Sequence, residues 1–335
     1  MCARKVSKST LQMISQHVDV EDLYVTQTIE QSDQSLDEII QKRYPLVLCG
    51  GGDGTAMRIM EQVHLKIKAY NAEGGDYSMP RFGLLKLGTG NGWAGLLNVP
   101  PKVNPIWELR QKHEHELRFG TFNMLEAEDR LFHFGGFGVD AMVLNDYIEF
   151  KRRFSKGFTW KVANSLWGYL IALATKSIPK VLTSNMHFKI RAINMSDEPI
   201  YRISHSKGRE ELNVGKGETI FQGDALMAGF GTTNYYGFKL NVFPFATSIP
   251  GYCQLLIGNP PVPKLLANIR KVWRGVYEHP DLHYFLVKQV RLELEQDAPF
   301  QLGGDPEGYH KDLDLRVSEF TVDVLDFRRH LQAKV

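Results

Sequence analysis

In the first third of the chain, short apolar runs alternate with stretches whose apolar positions recur at helical spacing. Residues 7–17 predict a helix, LYVTQT (23–28) a strand and SLDEIIQKR (35–43) an amphipathic helix. YPLVLC (44–49) then reads as a buried strand, TAMRIMEQVHLKI (55–67) as a helix and FGLLKL (82–87) as another strand. Apolar strands joined through helices build a parallel sheet with helices on its faces. The polar stretch NAEGGDYSMP (71–80) is an exposed loop between two such units.

From about residue 117 the period becomes shorter. LRFGTFNMLEAEDRLFHFGG reads as a hairpin, and IRAINM, TIFQGDALMAG, FKLNVFPFA, YCQLLIG, VRLELEQ and LRVSEFTVDVLDF as short β-rich pieces. Helical segments interrupt them at 139–153, 157–176 and 262–277. The expected fold class is α/β, with an N-terminal parallel-sheet domain over 1–117 and a C-terminal β-rich sandwich domain over 118–325. The tail 326–335 is free to pack back on the first domain.

Composition narrows the class. With 43% hydrophobic and 23% charged residues the chain is an ordinary soluble globular protein. A net charge of +2 excludes a broad nucleic-acid footprint while permitting a local basic patch. Cys2, Cys49 and Cys253 are odd in number and widely spaced, which argues against a disulfide framework or a zinc site. No apolar run approaches the ~20 residues of a membrane span, and the basic start MCARKVSKSTLQMI lacks the apolar core of a signal peptide. A cytoplasmic location is expected.

Two glycine turns carry the chemistry. In YPLVLCGGGDGTAMRIM, the run Gly50-Gly51-Gly52-Asp53-Gly54-Thr55 links a strand to a helix. Glycines let a backbone turn tightly and approach a ligand closely, and the following helix N-terminus favours phosphate. Asp53 supplies a carboxylate suited to ribose hydroxyls or a magnesium ion, or alternatively to capping the helix. FGLLKLGTGNGWAGLL repeats the arrangement with Gly88-Thr89-Gly90-Asn91-Gly92. Loops at the carboxyl ends of parallel strands line one crevice, so two such turns point to a nucleotide. GNGWAG matches the dinucleotide fingerprint only formally: the next segment, NVPPKVNPIWELR, has three prolines where a central strand is needed. The P-loop pattern is absent.

Other segments are less specific. FKRRFSKGFTWKVANSLWGYLIALATKSIPK (150–180) interleaves Lys151, Arg152, Arg153, Lys156 and Lys161 with Phe150, Phe154, Phe158, Trp160 and Trp167. That mixture suits the headgroup region of an anionic membrane, or a helix with a solvated basic face. His113 and His115 in HEHE read as a solvated strand. Asp305 and Glu307 lie two apart in GGDPEG (303–308), whose residue types alone describe a surface turn. Asp140 caps a helix or faces a cleft.

GGDGT (51–55) followed by LGTGN (87–91) resembles the diacylglycerol kinase catalytic domain family, which includes bacterial lipid kinases, sphingosine kinases and ceramide kinases and is distantly related to NAD kinases. FGGFGVDA (134–141) is similar to the family's Gly-Phe-Gly-x-Asp segment, NYYGFKLNVFPFA (234–246) to its Gly…Pro-x-Ala strand, and GGDPEG stands where it carries Asp-Gly-Glu. The resemblance implies a lipid kinase using ATP and magnesium, with catalysis in an interdomain cleft. It implies nucleotide contacts at Thr28, Gly51, Gly52, Asp53, Gly54, Thr55, Gly88, Thr89, Gly90 and Asn91. Asp305 becomes the general base, facing the two glycine motifs, with Glu307 beside it; Asp53 and Glu307 become metal contacts and Asp140 a substrate contact. The lipid substrate and a membrane surface are the implied partners, and the protein is expected to be peripheral to that membrane.

The chain departs from the family at three places. It opens at Cys2-Ala3-Arg4-Lys5, where members carry a strand ending in Asn-Pro-x-x-Gly or Asn-x-Ala-Arg, so that strand is expected to be missing. Gly92 stands where many bacterial members have Asp, and Pro306 replaces the middle glycine of Asp-Gly-Glu. Two alternatives are an NAD kinase-like enzyme, although the chain has no Asn-Glu dipeptide, and a catalytically silent nucleotide- or lipid-binding protein.

Overall fold

The computed structural model describes residues 6–88, 91–154, 162–163, 165–183, 186–236 and 240–328. It contains two compact units, Met1–Phe122 with Thr321–Val335, and Asn123–Phe320.

The first unit opens with helices started by side-chain caps. Helix α1 (Lys8–Ser15) begins where the Ser7 hydroxyl accepts the Thr10 N–H. Helix α2 (Ile29–Gln41) begins at Thr28, whose Oγ1 accepts the Gln31 N–H, while Gln31 Oε1 accepts the Gln27 N–H. Such a reciprocal pair satisfies two donors that a helix start leaves unpaired. It also corrects the sequence reading: α2 starts well before residue 35, and no strand forms at 23–28. There the β propensity of LYVTQT yields to the cap, and Val25 stays exposed.

Strands β1 (Leu46–Gly51) and β2 (Arg81–Lys86) pair in parallel, with Leu46 opposite Arg81 and Gly51 opposite Lys86. Between them runs α3 (Asp53–Ala72), which buries Met57, Met60, Val63 and Ile67 along one helical stripe. After β2 come the short helices α4 (Gly92–Leu96) and α5 (Asn104–Arg110). The end of the chain returns to this unit, where Val324 pairs in parallel with Phe82 and both are fully buried. Phe327 is buried beyond it, with its N–H on the Leu97 carbonyl at 3.0 Å. The first strand that family members carry would fall on residues 1–5, outside the described residues.

The second unit is antiparallel and β-rich. Strands β3 (Phe119–Ala127) and β4 (Arg130–Phe132) form a hairpin whose two loop residues, Glu128 and Asp129, both have positive φ. Then follow β5 (Phe134–Gly138), α6 (Val139–Arg153), α7 (Leu166–Ala172) and α8 (Ile178–Thr183). The remaining strands are β6 (Phe188–Asn194), β7 (Ile200–Ser204), β8 (Gly208–Leu212), β9 (Thr219–Ala225), β10 (Met227–Gly231) and β11 (Cys253–Gly258). Two short helices, α9 (Val262–Ala267) and α10 (Ile269–Trp273), replace the single helix expected at 262–277. Strands β12 (Leu282–Val287), β13 (Gln289–Leu302) and β14 (Asp305–Leu325) complete the chain.

Within this unit the strand order β13-β5-β10-β11-β12-β7-β8 is antiparallel throughout. A register shift between Glu293 and Ala298 divides β13: its first part pairs with β6 and its last residues, Phe300–Leu302, with β5. Phe137, Phe230, Phe285 and Phe300 are fully buried in the core. Helix α6 fills the range expected for it. Residues Lys156, Phe158, Trp160 and Lys161 of the basic aromatic segment lie outside the described residues. No helix among the described residues is long and apolar enough to cross a membrane.

Candidate functional site

The parallel register of β1 and β2 brings both glycine turns to the same end of the two strands. A Cβ placed on Gly88 would lie 2.2 Å from Gly52 Cα and 2.7 Å from Gly52 N. The two turns therefore touch backbone to backbone, a contact only glycine permits. Gly52 is extended (φ −92°, ψ 177°) and starts α3, the Thr55 and Ala56 N–H groups donating to its carbonyl. Gly54 is exposed in the first turn of that helix. Thr89 and Gly90 lie outside the described residues.

Asn91 closes the second turn. Its backbone is left-handed (φ 45°, ψ 42°), a conformation Asn tolerates better than most residues. Its Oδ1 accepts the Gly88 N–H at 3.1 Å and its Nδ2 donates to the Gly88 carbonyl at 2.6 Å. The asparagine thus brackets the loop through its own side chain.

Asp53 links the turns. Its Oδ2 accepts the Gly92 N–H at 2.7 Å and its Oδ1 the Trp93 N–H at 3.1 Å. The carboxylate caps α4, which follows the other turn, rather than its own helix. Burial pushes its pKa up, against the N–H groups of Gly92, Trp93 and Ala94, which favour the charged form. Gly92, a departure from the family pattern, contributes an N–H to this brace. Behind it, Trp93 is fully buried and meets Phe122 edge-on, the ring centroids 5.3 Å apart. Asp53→Asn should therefore weaken this brace. The substitution turns an NH2 towards N–H donors and should cost about 1–2 kcal/mol. Urea unfolding followed through Trp93 checks this; an unshifted midpoint would remove the brace.

Thr28 caps α2 and has its hydroxyl on Gln31, so its contact in the structure is with its own helix. His113 and His115 are stacked across a 3-10 turn (Glu114–Glu116), not on a strand.

In the second unit Asp140 opens α6, after Gly138 at φ 84°. Its Oδ2 accepts from Tyr236 Oη at 2.9 Å and from Gln301 Nε2 at 2.8 Å. Burial pushes its pKa up to about 6, although both donors pull it down. Tyr236 and Gln301 escaped the sequence reading. The only signal was an amide inside the apolar run PFQL.

Gly303 (φ 60°) and Gly304 (φ 88°) make a two-residue turn that places Asp305 opposite Leu302 at the start of β14. Asp305 is exposed. Pro306 sits opposite Gln301 and is accommodated by the ladder. Glu307 pairs with Arg130 at 3.2 Å.

Among the described residues no three His, Cys, Asp or Glu side chains converge as a metal site. Asp53 accepts from backbone N–H groups and Glu307 from the Arg130 guanidinium. Magnesium commonly arrives with nucleotide phosphates rather than in an all-protein cage.

Residues 3–122 match the diacylglycerol kinase catalytic domain model. No curated protein matches the chain at a significant level. A crystal structure of a diacylglycerol kinase from Bacillus anthracis strain Sterne is similar at TM-score 0.54 and 14% identity, over 89% of this chain and 82% of that one. A second structure from the same organism, provisionally described as a diacylglycerol kinase, gives 0.56 and 16%, over 89% and 84%. At these identities the likeness establishes the fold. Residues 3–122 thus match the diacylglycerol kinase catalytic domain, and the chain that carries them has the fold of these solved structures.

Proposed function

We propose that this protein is an ATP-dependent kinase that phosphorylates a hydroxyl of a diacylglycerol-, sphingoid- or ceramide-like lipid. The observation that carries the reading is the backbone contact of Gly52 with Gly88, braced by Asp53, beside the N-terminus of the twenty-residue helix α3. Close backbone and a helix N-terminus are what a phosphate chain needs. Phosphoryl transfer further requires a group that accepts the proton of the attacking hydroxyl. Asp305 takes that role in this reading and Asp140 holds the substrate hydroxyl; magnesium supplies charge neutralisation on the phosphates when bound. Incubation with labelled ATP and a total lipid extract tests the reading. A labelled lipid is the expected product, and its absence alongside measurable ATP binding would favour the silent binding protein.

A lipid substrate would also account for several exposed apolar side chains. Trp167 is 70% exposed, and Phe154, Val162 and Ile171 are also exposed. Of the nearby cations, Arg153 and Lys176 pair with Glu149, and Lys151 lies over the Tyr147 ring. We read these side chains as the contact of a cytoplasmic, peripheral protein with an anionic membrane. Anionic vesicles should bind more protein than neutral ones, and salt should weaken the binding by screening. Equal, salt-insensitive binding would leave an ordinary surface helix.

A further inference from the structure

The second unit contains a buried amide that the proposed chemistry has not used. Gln301 is 1% exposed, on β13 between Gly136 of β5 and Pro306 of β14. One end of its side chain donates Nε2–H to Asp140 Oδ2 at 2.8 Å. The other end accepts the Gly304 N–H on Oε1 at 2.9 Å. Gly304 immediately precedes Asp305. A single side chain therefore spans from one candidate acid to the turn that presents the other.

The orientation of this amide has one solution. Flipped, it would set its oxygen against a carboxylate and its NH2 against a backbone N–H. The space is also prepared: a Cβ on Gly136 would stand 2.6 Å from Asp140 Oδ2. Tyr236 completes the clamp on the same oxygen, and no hydrogen bond among the described residues reaches Oδ1. A buried amide and a buried acid both cost free energy that an apolar pair would not. The hydrogen bonds that the amide makes at both ends repay part of that cost by specifying one geometry.

We propose that Gln301 is a positioning residue, holding the Asp140 carboxylate and the Gly303–Gly304 turn, and hence Asp305, in fixed mutual register. The inference rests on the lipid kinase reading for its catalytic consequence, while the coupling itself does not. The titratable groups facing Asp140 are the Tyr236 and Tyr169 phenols, both with their pKa pushed upward by burial and by the carboxylate charge.

The test uses the full chain with Gln301→Met, a near-isostere lacking both hydrogen bonds. Loss of a donor to the charged form raises the Asp140 pKa, so its carboxyl titration by NMR should move upward from about 6. The Gly304 amide should exchange about tenfold faster once its acceptor is gone. In turnover, kcat should fall and KM for ATP should hold. Tyr236→Phe separates the two ends, raising the Asp140 titration while leaving Gly304 exchange unchanged. Should Gln301→Met not fold, the wild-type Gly304 amide shift decides: coupling requires that it carry the Asp140 inflection. If wild type transfers no phosphoryl group, the kinase reading fails and the titration and exchange still test the coupling. If both readouts match wild type in Gln301→Met, or the Gly304 amide shows no inflection, the inference is overturned.

Discussion

Gly88→Ala is expected to destabilise the first unit by about 3 kcal/mol or more, whereas Gly52→Ala should be neutral or gain about 0.5 kcal/mol. Both are single methyl additions in the same pair of turns. The Gly88 methyl would press on Gly52 Cα at 2.2 Å, Gly52 N at 2.7 Å and the Gly51 carbonyl oxygen at 3.0 Å. All three are backbone atoms, which no rotamer change can move aside. A methyl on Gly52 would meet only Gly88 Cα, at an ordinary 3.5 Å, from an extended backbone that any residue adopts. Its benefit would come from fewer conformations in the unfolded chain. Urea unfolding measures both. Equal midpoints would show that the turns do not touch. In the proposed function Gly52→Ala should still weaken ATP binding, because its methyl stands where phosphate approaches. Stability and binding then separate at one position.

Asp305→Asn is expected to retain ATP binding and lose phosphoryl transfer by about 10²-fold or more. A lipid alcohol is a weak nucleophile until its proton has an acceptor. In the first unit, Asp53 has both oxygens on backbone N–H groups and is poorly suited to that task. Glu307 is engaged with Arg130. Asp305 is exposed at the head of β14, and the positive φ angles that shape its turn belong to Gly303 and Gly304. Steady-state turnover with a lipid acceptor gives the answer. Full activity in Asp305→Asn, with loss in Asp140→Asn, would move the base to Asp140. The raised pKa of Asp140 would then appear as an acid limb near its value of about 6: charged and competent above it, protonated and inactive below.

Local structure was legible in the order of the residues. Apolar runs ending in glycine placed β1, β2 and the two turns, because strand burial and glycine freedom are properties of a few adjacent residues. The alternation after residue 117 likewise marked a β-rich second part. Where two local preferences competed, pattern alone misjudged the winner: LYVTQT has β propensity, yet the Thr28–Gln31 cap starts a helix there. Tertiary structure decided which atoms meet. Asp53 and Gly92 are 39 positions apart, and Asp140 and Gln301 161 apart, so their hydrogen bonds exist only once the strands that carry them are paired. The same holds for Gly88, an ordinary turn glycine in sequence. What makes it irreplaceable is the register of Gly51 with Lys86, which sets its Cα against Gly52. A side chain's local preference is written in its neighbours along the chain, but its partners are set by pairing geometry.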